Sequence, residues 1–272
     1  MGVTNSETIL ITGASSGIGL ELAKCFAADG CRLILVARNT SALEKLAEEL
    51  RQTHGIEARV ITADLALPET LGRIFEELRA AKISVDVLVN NAGFGLNGAF
   101  TKLPLERQLE IINVNLGALT GLTGLFLPDM IKRKRGGILN VGSVAGFLPG
   151  PNMAVYYATK AYVNSFTEAL AEELSGTGLI VSVLCPGATR TNFGNIARGQ
   201  TIERHRTSKM SAEAVASYGH RAYRNGKVLA IPGLPNRLVI LLLRILPRLF
   251  VRKLVKSFNS TKQRSKTSDS AG

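Results

Sequence analysis

Tyr156 and Lys160 stand four residues apart, thirteen and seventeen residues after Ser143. A helix places residues i and i+4 on one face, so the phenol and the ammonium point together. A free phenol titrates near pH ~10 and is a poor acid at neutrality. A neighbouring ammonium, with a positively charged ring beside it, favours the phenolate and lowers that value. Such a tyrosine can pass a proton to or from a carbonyl oxygen while a hydride moves. Tyr223 and Lys227 repeat the spacing, but Asn225 and Gly226 between them signal a helix end, so that pair reads as structural.

Near the start of the chain run Thr12, Gly13, Ala14, Ser15, Ser16, Gly17, Ile18 and Gly19, after an apolar β-branched stretch and before a helical pattern. Glycines let a backbone approach a pyrophosphate at a helix N-terminus, where free N–H groups and the dipole favour anions. The G-x-x-x-G-x-G spacing is a variant of the commoner G-x-G-x-x-G. Together with the Tyr–Lys pair it points to hydride transfer on a nicotinamide dinucleotide. Ala37 and Arg38 end the second apolar run, where an NAD-selective site carries an acid for the ribose 2′-hydroxyl. An arginine pairs with a 2′-phosphate instead, so NADP(H) is expected over NAD(H).

The same glycine turn spells G-x-S-x-G around Ser15, the turn of a hydrolase nucleophile. A triad also needs a placed base and an orienter. The histidines are His54, His205 and His220, the last two in polar, basic surroundings, which leaves a serine hydrolase using Ser15 as the remote alternative.

The elements that must position these residues follow from periodicity. Strand patterns cover residues 7–12, 31–37, 57–63, 85–90, 138–141 and 179–185; helical patterns cover 17–29, 41–54, 68–82, 104–134 and 155–175. Strands alternating with helices mean βαβ units and a parallel sheet. Near-continuous apolar strands fit a sheet covered on both faces, hence a doubly wound α/β domain with ligands at the carboxyl ends of its strands. No boundary interrupts residues 1–232, which read as a single domain, with residues 233–272 as a basic extension.

With these motifs in this order, the chain resembles the short-chain dehydrogenase/reductase family over most of residues 7–232. The matching residues are the run from Thr12 to Gly19, then Asp64 and Leu65, Asn90 to Gly93, Asn115, Ser143, Tyr156 with Lys160, and Pro186 with Gly187. The resemblance implies a Rossmann-type fold and these roles. Tyr156 is the general acid/base, Lys160 lowers its pKa and holds the nicotinamide ribose, Ser143 hydrogen-bonds the substrate oxygen, and Asn115 orders a proton-relaying water. Gly13, Ser15, Ser16, Gly17, Ile18, Gly19, Arg38, Asp64, Leu65, Asn91, Ala92, Gly93, Pro186, Gly187 and Thr189 belong to the cofactor site, and Thr191 holds the carboxamide. The resemblance also implies a homodimer or homotetramer, often built on the helix of the Tyr–Lys pair. A catalytically weak NADP-binding scaffold or sensor is the alternative, against which the intact Ser–Tyr–Lys set argues.

Phe94, Leu96, Phe147, Pro149 and Phe193 are placed to line an apolar pocket, which suits a lipid-like carbonyl substrate. The stretch 188–210 carries Arg190, Arg198, Arg204, Arg206 and Lys209 and matches the family's mobile lid; its charges read as solvated faces, with a grip on a substrate carboxylate or phosphate as the alternative.

The net charge of +12 is concentrated at one end: from Arg237 onward there are nine Lys/Arg and one Asp. Neither aromatic–basic interleaving nor zinc-finger spacing supports nucleic acid as a partner. Arg237, Arg244, Arg248 and Arg252, at spacings of seven, four and four, put their charges on one side of a helix kinked by Pro247. A basic amphipathic segment lying on an anionic membrane surface fits this pattern; a helix over the pocket or at a subunit interface is the plainer reading, with the polar end disordered. Cys25, Cys31 and Cys185 lack metal or redox spacing, so reduced thiols in the cytoplasm and no metal are expected. The first apolar run is too short for a secretory leader. Met1, Gly2 and Ser6 match a myristoylation pattern, more plainly a polar lead-in to the first strand.

Overall fold

The computed structural model describes residues 7–190, 210–243 and 245–259. Its framework is β1 (Thr8–Thr12), α1 (Gly17–Ala28), β2 (Arg32–Ala37), α2 (Thr40–His54), β3 (Ala58–Thr62), α3 (Glu69–Ala80) and β4 (Val87–Asn90). There follow α4 (Leu105–Ile112), α5 (Leu119–Arg133), β5 (Gly137–Val141), α6 (Ala154–Glu173) and β6 (Ile180–Leu184). Beyond them lie β7 (Thr189–Arg190), β8 (Met210–Ser211), α7 (Ala212–Arg224), β9 (Leu229–Ala230), α8 (Leu234–Leu243) and α9 (Arg248–Asn259).

The main sheet has seven parallel strands in the order β3-β2-β1-β4-β5-β6-β9. The chain starts in the middle, winds outward to β3, then crosses back to place β4 beside β1. That reversal between β1 and β4 is the switch point, where a crevice opens at the carboxyl ends of the strands. Side chains alternate across the sheet. Ile9 and Ile11 join Leu22, Phe26, Leu35 and Val215 on one face. Leu10 joins Ile34, Ile74, Leu88, Leu122 and Met130 on the other. Every residue of β1 is buried, the burial pattern expected of a strand covered on both faces.

Three regions differ from the periodicity reading. The helix expected over 104–134 is helical throughout, but a π-helical segment, Asn113–Ala118, separates α4 from α5. A π-turn inserts a residue into the helical ladder and re-aims the side chains around it, here Asn115. By length and apolarity, the run Leu105–Arg133 could cross a bilayer. It is a core helix instead, since Leu119, Leu122, Phe126 and Met130 are buried. Second, α7 and the two-residue strands β7, β8 and β9 were not read from sequence; two residues carry no periodicity. Third, the described part of the tail forms two helices. The chain turns at Gly233 (φ +85°), forms α8, and breaks before α9 at Pro247. Arg237 therefore does not share a helix side with Arg248 and Arg252. Its guanidinium donates to Tyr218 Oη at 2.5 Å and to the Ile231 carbonyl at 2.9 Å, fastening α8 to α7. Arg244, residues 1–6 and residues 260–272 lie outside the described residues, and with them the myristoylation pattern and the polar end.

Candidate active site

The glycine turn is stapled to the switch point by two side chains. Thr12 Oγ1 donates to the Val89 carbonyl at 3.3 Å and accepts the N–H groups of Asn91 and Ala92, each at 3.0 Å. Asn91 Nδ2 donates to the carbonyls of Thr12 (2.8 Å) and Gly13 (3.2 Å). This close packing leaves no room for larger residues. A Cβ at Gly19 would sit 2.3 Å from Asn91 Nδ2 and 2.5 Å from the Gly13 carbonyl oxygen. Gly13 also holds φ +66°, the left-handed region that favours glycine. Ser16, the N-cap of α1, makes no side-chain cap bond, so the first N–H groups of the helix face the crevice beside Ser15 and Ile18. A glycine cradle beneath an uncapped helix N-terminus fits a pyrophosphate.

Arg38 and Asp64 extend this edge along the ends of β2 and β3. Arg38 is 65% exposed and lies 3.6 Å from Glu110 Oε1, a weak surface pair that leaves the guanidinium able to turn to a ligand. Asp64 Oδ1 accepts the Ala66 N–H at 3.0 Å, and Leu65 is buried beneath it.

Ser143, Tyr156 and Lys160 meet at the carboxyl end of β5. Ser143 caps a short 3-10 turn, Val144–Phe147, by accepting the Ala145 N–H at 3.0 Å. Tyr156 is hydrogen-bonded to Ser143. Lys160 is buried; its Nζ donates to the Val141 carbonyl at 2.7 Å and lies 6.0 Å from the Tyr156 ring centroid. Burial lowers the Lys160 ammonium from its usual value to about 8. Burial pushes the Tyr156 phenol up to about 12, with the Ser143 hydrogen bond pulling the other way. Burial therefore sets the direction of the phenol's shift, opposite to the lowering expected from the neighbouring ammonium.

Asn115 reaches the same crevice from the π-segment. Its Nδ2 donates to the Phe94 carbonyl and to Thr159 Oγ1, both at 3.0 Å, while Oδ1 accepts the Phe94 N–H at 3.1 Å. One Oδ1 lone pair remains, close to Gly93.

The model of the short chain dehydrogenase family matches residues 7–200. The chain belongs to this family. Its members are oxidoreductases that act on CH–OH groups and use NAD(P)(H). The very-long-chain 3-oxoacyl-CoA reductase of Rattus norvegicus is 30% identical over 266 residues, 96% of this chain and 82% of that protein. A short-chain dehydrogenase from Sphingobium yanoikuyae, solved with NADPH, superposes with a TM-score of 0.77 at 32% identity, covering 97% and 99% of the two chains. One from Burkholderia phymatum, solved with NAD, has a TM-score of 0.78 at 25% identity, covering 89% and 94%.

In this short-chain dehydrogenase, sequence reasoning missed Asn164, the next residue along the helix face of Tyr156 and Lys160. Its Nδ2 donates to the Ser143 carbonyl at 3.0 Å, and its Oδ1 accepts the Ser143 N–H at 3.4 Å and Cys185 Sγ at 3.3 Å. Gly142 and Gly146 make room for it: a Cβ on either would come within 2.4 Å of the Asn164 amide. The i+4 spacing after Lys160 was the available signal.

The loop after β6 borders the crevice. Pro186 accepts from Ser143 Oγ at 3.4 Å, Gly187 lies under the Asn236 side chain, and Thr189 Oγ1 donates to the Gly187 carbonyl at 3.0 Å. Thr191 and Phe193 lie outside the described residues, as do Arg198, Arg204, Arg206 and Lys209 of the expected lid. Leu96, Phe100, Leu103, Met153 and Val155 line a small apolar crevice of about 50 Å³ beside Tyr156. Phe94 is covered by Arg107, whose guanidinium stands 5.1 Å from the ring centroid.

Ser15 has no triad among the described residues. His220 Nε2 lies 2.9 Å from Asp29 Oδ2, beyond the far end of α1 from Ser15, about 18 Å of helix away. His54 is exposed at the end of α2, and His205 lies outside the described residues.

Proposed function

We propose that the chain interconverts a ketone or aldehyde and an alcohol with NADP(H), on an apolar, lipid-like carbonyl substrate. The observation that carries this reading is the meeting of Ser143, Tyr156 and Lys160 beside the glycine turn. Bound along that turn, NADP(H) supplies or accepts the hydride.

The chain's own residues do the rest. The turn of Gly13, Gly17 and Gly19 and the first N–H groups of α1 hold the pyrophosphate. Arg38 pairs with the 2′-phosphate, and Asp64, Leu65, Asn91, Ala92, Gly93, Pro186, Gly187 and Thr189 border the remainder. Ser143 Oγ holds the substrate oxygen against Tyr156 Oη, which donates its proton in reduction and takes one in oxidation. Lys160 holds the ribose and keeps positive charge close to the phenol. Asn115 orders a water through its remaining lone pair.

The apolar crevice of Leu96, Met153 and Val155 supports the substrate class, as does the name of the rat relative, a very-long-chain 3-oxoacyl-CoA reductase. The NADPH-bound Sphingobium structure and the missing acid after β2 support NADP(H). Exposed Ile112 of α4, Ile131 of α5 and Tyr162 of α6 support pairing of two copies across these helices. The free thiols Cys25, Cys31 and Cys185 fit the cytoplasm, with the basic tail at a membrane surface.

The test is NADPH against NADH binding, then NADPH oxidation over carbonyl compounds graded by chain length. NADPH preference with rates rising toward long apolar ketones is expected. NADPH binding without turnover on any of them would favour the scaffold reading instead.

A further inference from the structure

Apolar residues on α8 and α9 face outward. Leu238, Leu241 and Leu242 of α8 and Ile245 in the turn after it are exposed, Ile245 by 79%. On α9, Phe250, Leu254 and Phe258 recur every four residues as one exposed stripe, Phe258 at 75%. Val251 and Val255 turn the adjoining arc inward and are buried. Arg252, Lys253 and Lys256 fall on the remaining arc. Exposed apolar residues in such a continuous group mark an interaction site rather than ordinary surface.

Charge identifies the occupant. No Asp or Glu occurs from Ala214 through Ser268, so both helices carry positive charge alone. A second copy of the same face would bring like charges together. Neither helix can span a bilayer: ten and twelve residues reach about 15 and 18 Å, against a hydrocarbon core of about 30 Å. Apolar side chains rimmed by Arg and Lys on short helices suit the interface of an anionic bilayer.

The position of the pair adds a second observation. The last described residue, Asn259, is tied to both loops beside Tyr156. Asn97 Nδ2 donates to the Asn259 carbonyl at 3.2 Å, Asn259 Nδ2 donates to the Pro151 carbonyl at 3.0 Å, and Tyr157 Oη reaches Asn259 Oδ1 at 3.5 Å. On the other side, Asn236 of α8 covers Gly187. The two helices thus flank the opening above Ser143 and Tyr156.

We infer that α8 and α9 seat the protein on an anionic lipid surface with the opening of the substrate crevice at that surface, so that an apolar substrate enters from the bilayer. The substrate part rests on the proposed function.

The experiment uses the full chain with phosphatidylcholine vesicles, with and without phosphatidylserine. The wild type should sediment with the anionic vesicles only, and a variant carrying Phe250→Asp, Arg252→Glu and Phe258→Asp should lose that binding by about tenfold or more. The variant should keep NADPH binding and turnover of a short, water-soluble ketone. On a long-chain ketone presented in anionic vesicles, it should fall about tenfold below the wild type, and the two should match when that ketone is dissolved in detergent. Asn259→Ala should still bind vesicles and lose the advantage on the embedded ketone; equal turnover would overturn the tie. Equal binding to neutral vesicles, or a variant that instead dissociates an oligomer on gel filtration, would overturn the lipid surface. Turnover of the soluble ketone without lipid binding sinks the surface alone. Lipid binding without turnover of any carbonyl compound sinks the route and the functional reading together, and leaves the surface standing.

Discussion

Asn164 holds both sides of the Ser143 peptide, donating to its carbonyl at 3.0 Å and accepting its N–H at 3.4 Å. Both Asn164 and Tyr156 sit on α6, two helical turns apart. The helix that carries Tyr156 therefore also fixes the serine facing it. Asn164→Ala should lower kcat by about tenfold with little change in the Kd for NADPH, because Ser143 loses its anchor while the glycine turn is untouched. It should also lose about 1–3 kcal/mol of stability, from buried backbone groups left without partners. Steady-state kinetics and denaturant titration check both. An unchanged kcat in a destabilised protein would leave Asn164 a purely structural role.

Tyr156→Phe removes one hydroxyl and keeps the ring. Turnover should fall by about 10²- to 10⁴-fold, the range a positioned acid contributes, with NADPH affinity retained. Stopped-flow turnover and fluorescence titration of NADPH separate the two effects. A scaffold would keep its partner function through this change.

The lowered value of Lys160, about 8, should set one limb of the pH profile. Below it the ammonium is present; above it the charge beside the phenol is lost. Tyr156, raised to about 12, remains protonated and able to donate across this window. For carbonyl reduction, kcat/KM should therefore fall as pH rises through about 8, by up to about tenfold per unit. A profile flat to pH ~10 would contradict the assignment of that limb to Lys160.

Arg38→Glu replaces an exposed cation by a carboxylate. NADPH affinity should drop about 10- to 100-fold, as a charge-assisted phosphate contact is lost, while NADH affinity holds or improves. Isothermal titration with the two cofactors reads the switch.

Gly19→Ala brings a methyl within 2.3 Å of Asn91 Nδ2 and 2.5 Å of the Gly13 carbonyl oxygen. The backbone oxygen cannot step aside as a flexible side chain can. The variant should lose about 1–3 kcal/mol of stability and most NADPH affinity. Thermal unfolding with and without NADPH should show a lower Tm and a smaller cofactor-induced rise.

Local features were legible along the chain. Burial on both faces wrote β1 and its neighbours as apolar runs, and helical spacing put Tyr156 and Lys160 on one face without reference to any other part of the chain. The glycine turn was legible for the same reason: strand, turn and helix are consecutive. Tertiary structure decided everything that joins residues far apart. Asn91 binds the turn 78 residues before it, and Asn164 binds Ser143, only because strand order brings the ends of β1, β4, β5 and β6 together. The direction in which Tyr156 is shifted depends on how deeply the assembled crevice buries it. The tail read as one basic helix because its charges repeat at helical spacing; Arg237 left that pattern once folding set Tyr218 within reach. Periodicity reports which face of an element is covered, and only the packed fold says by what.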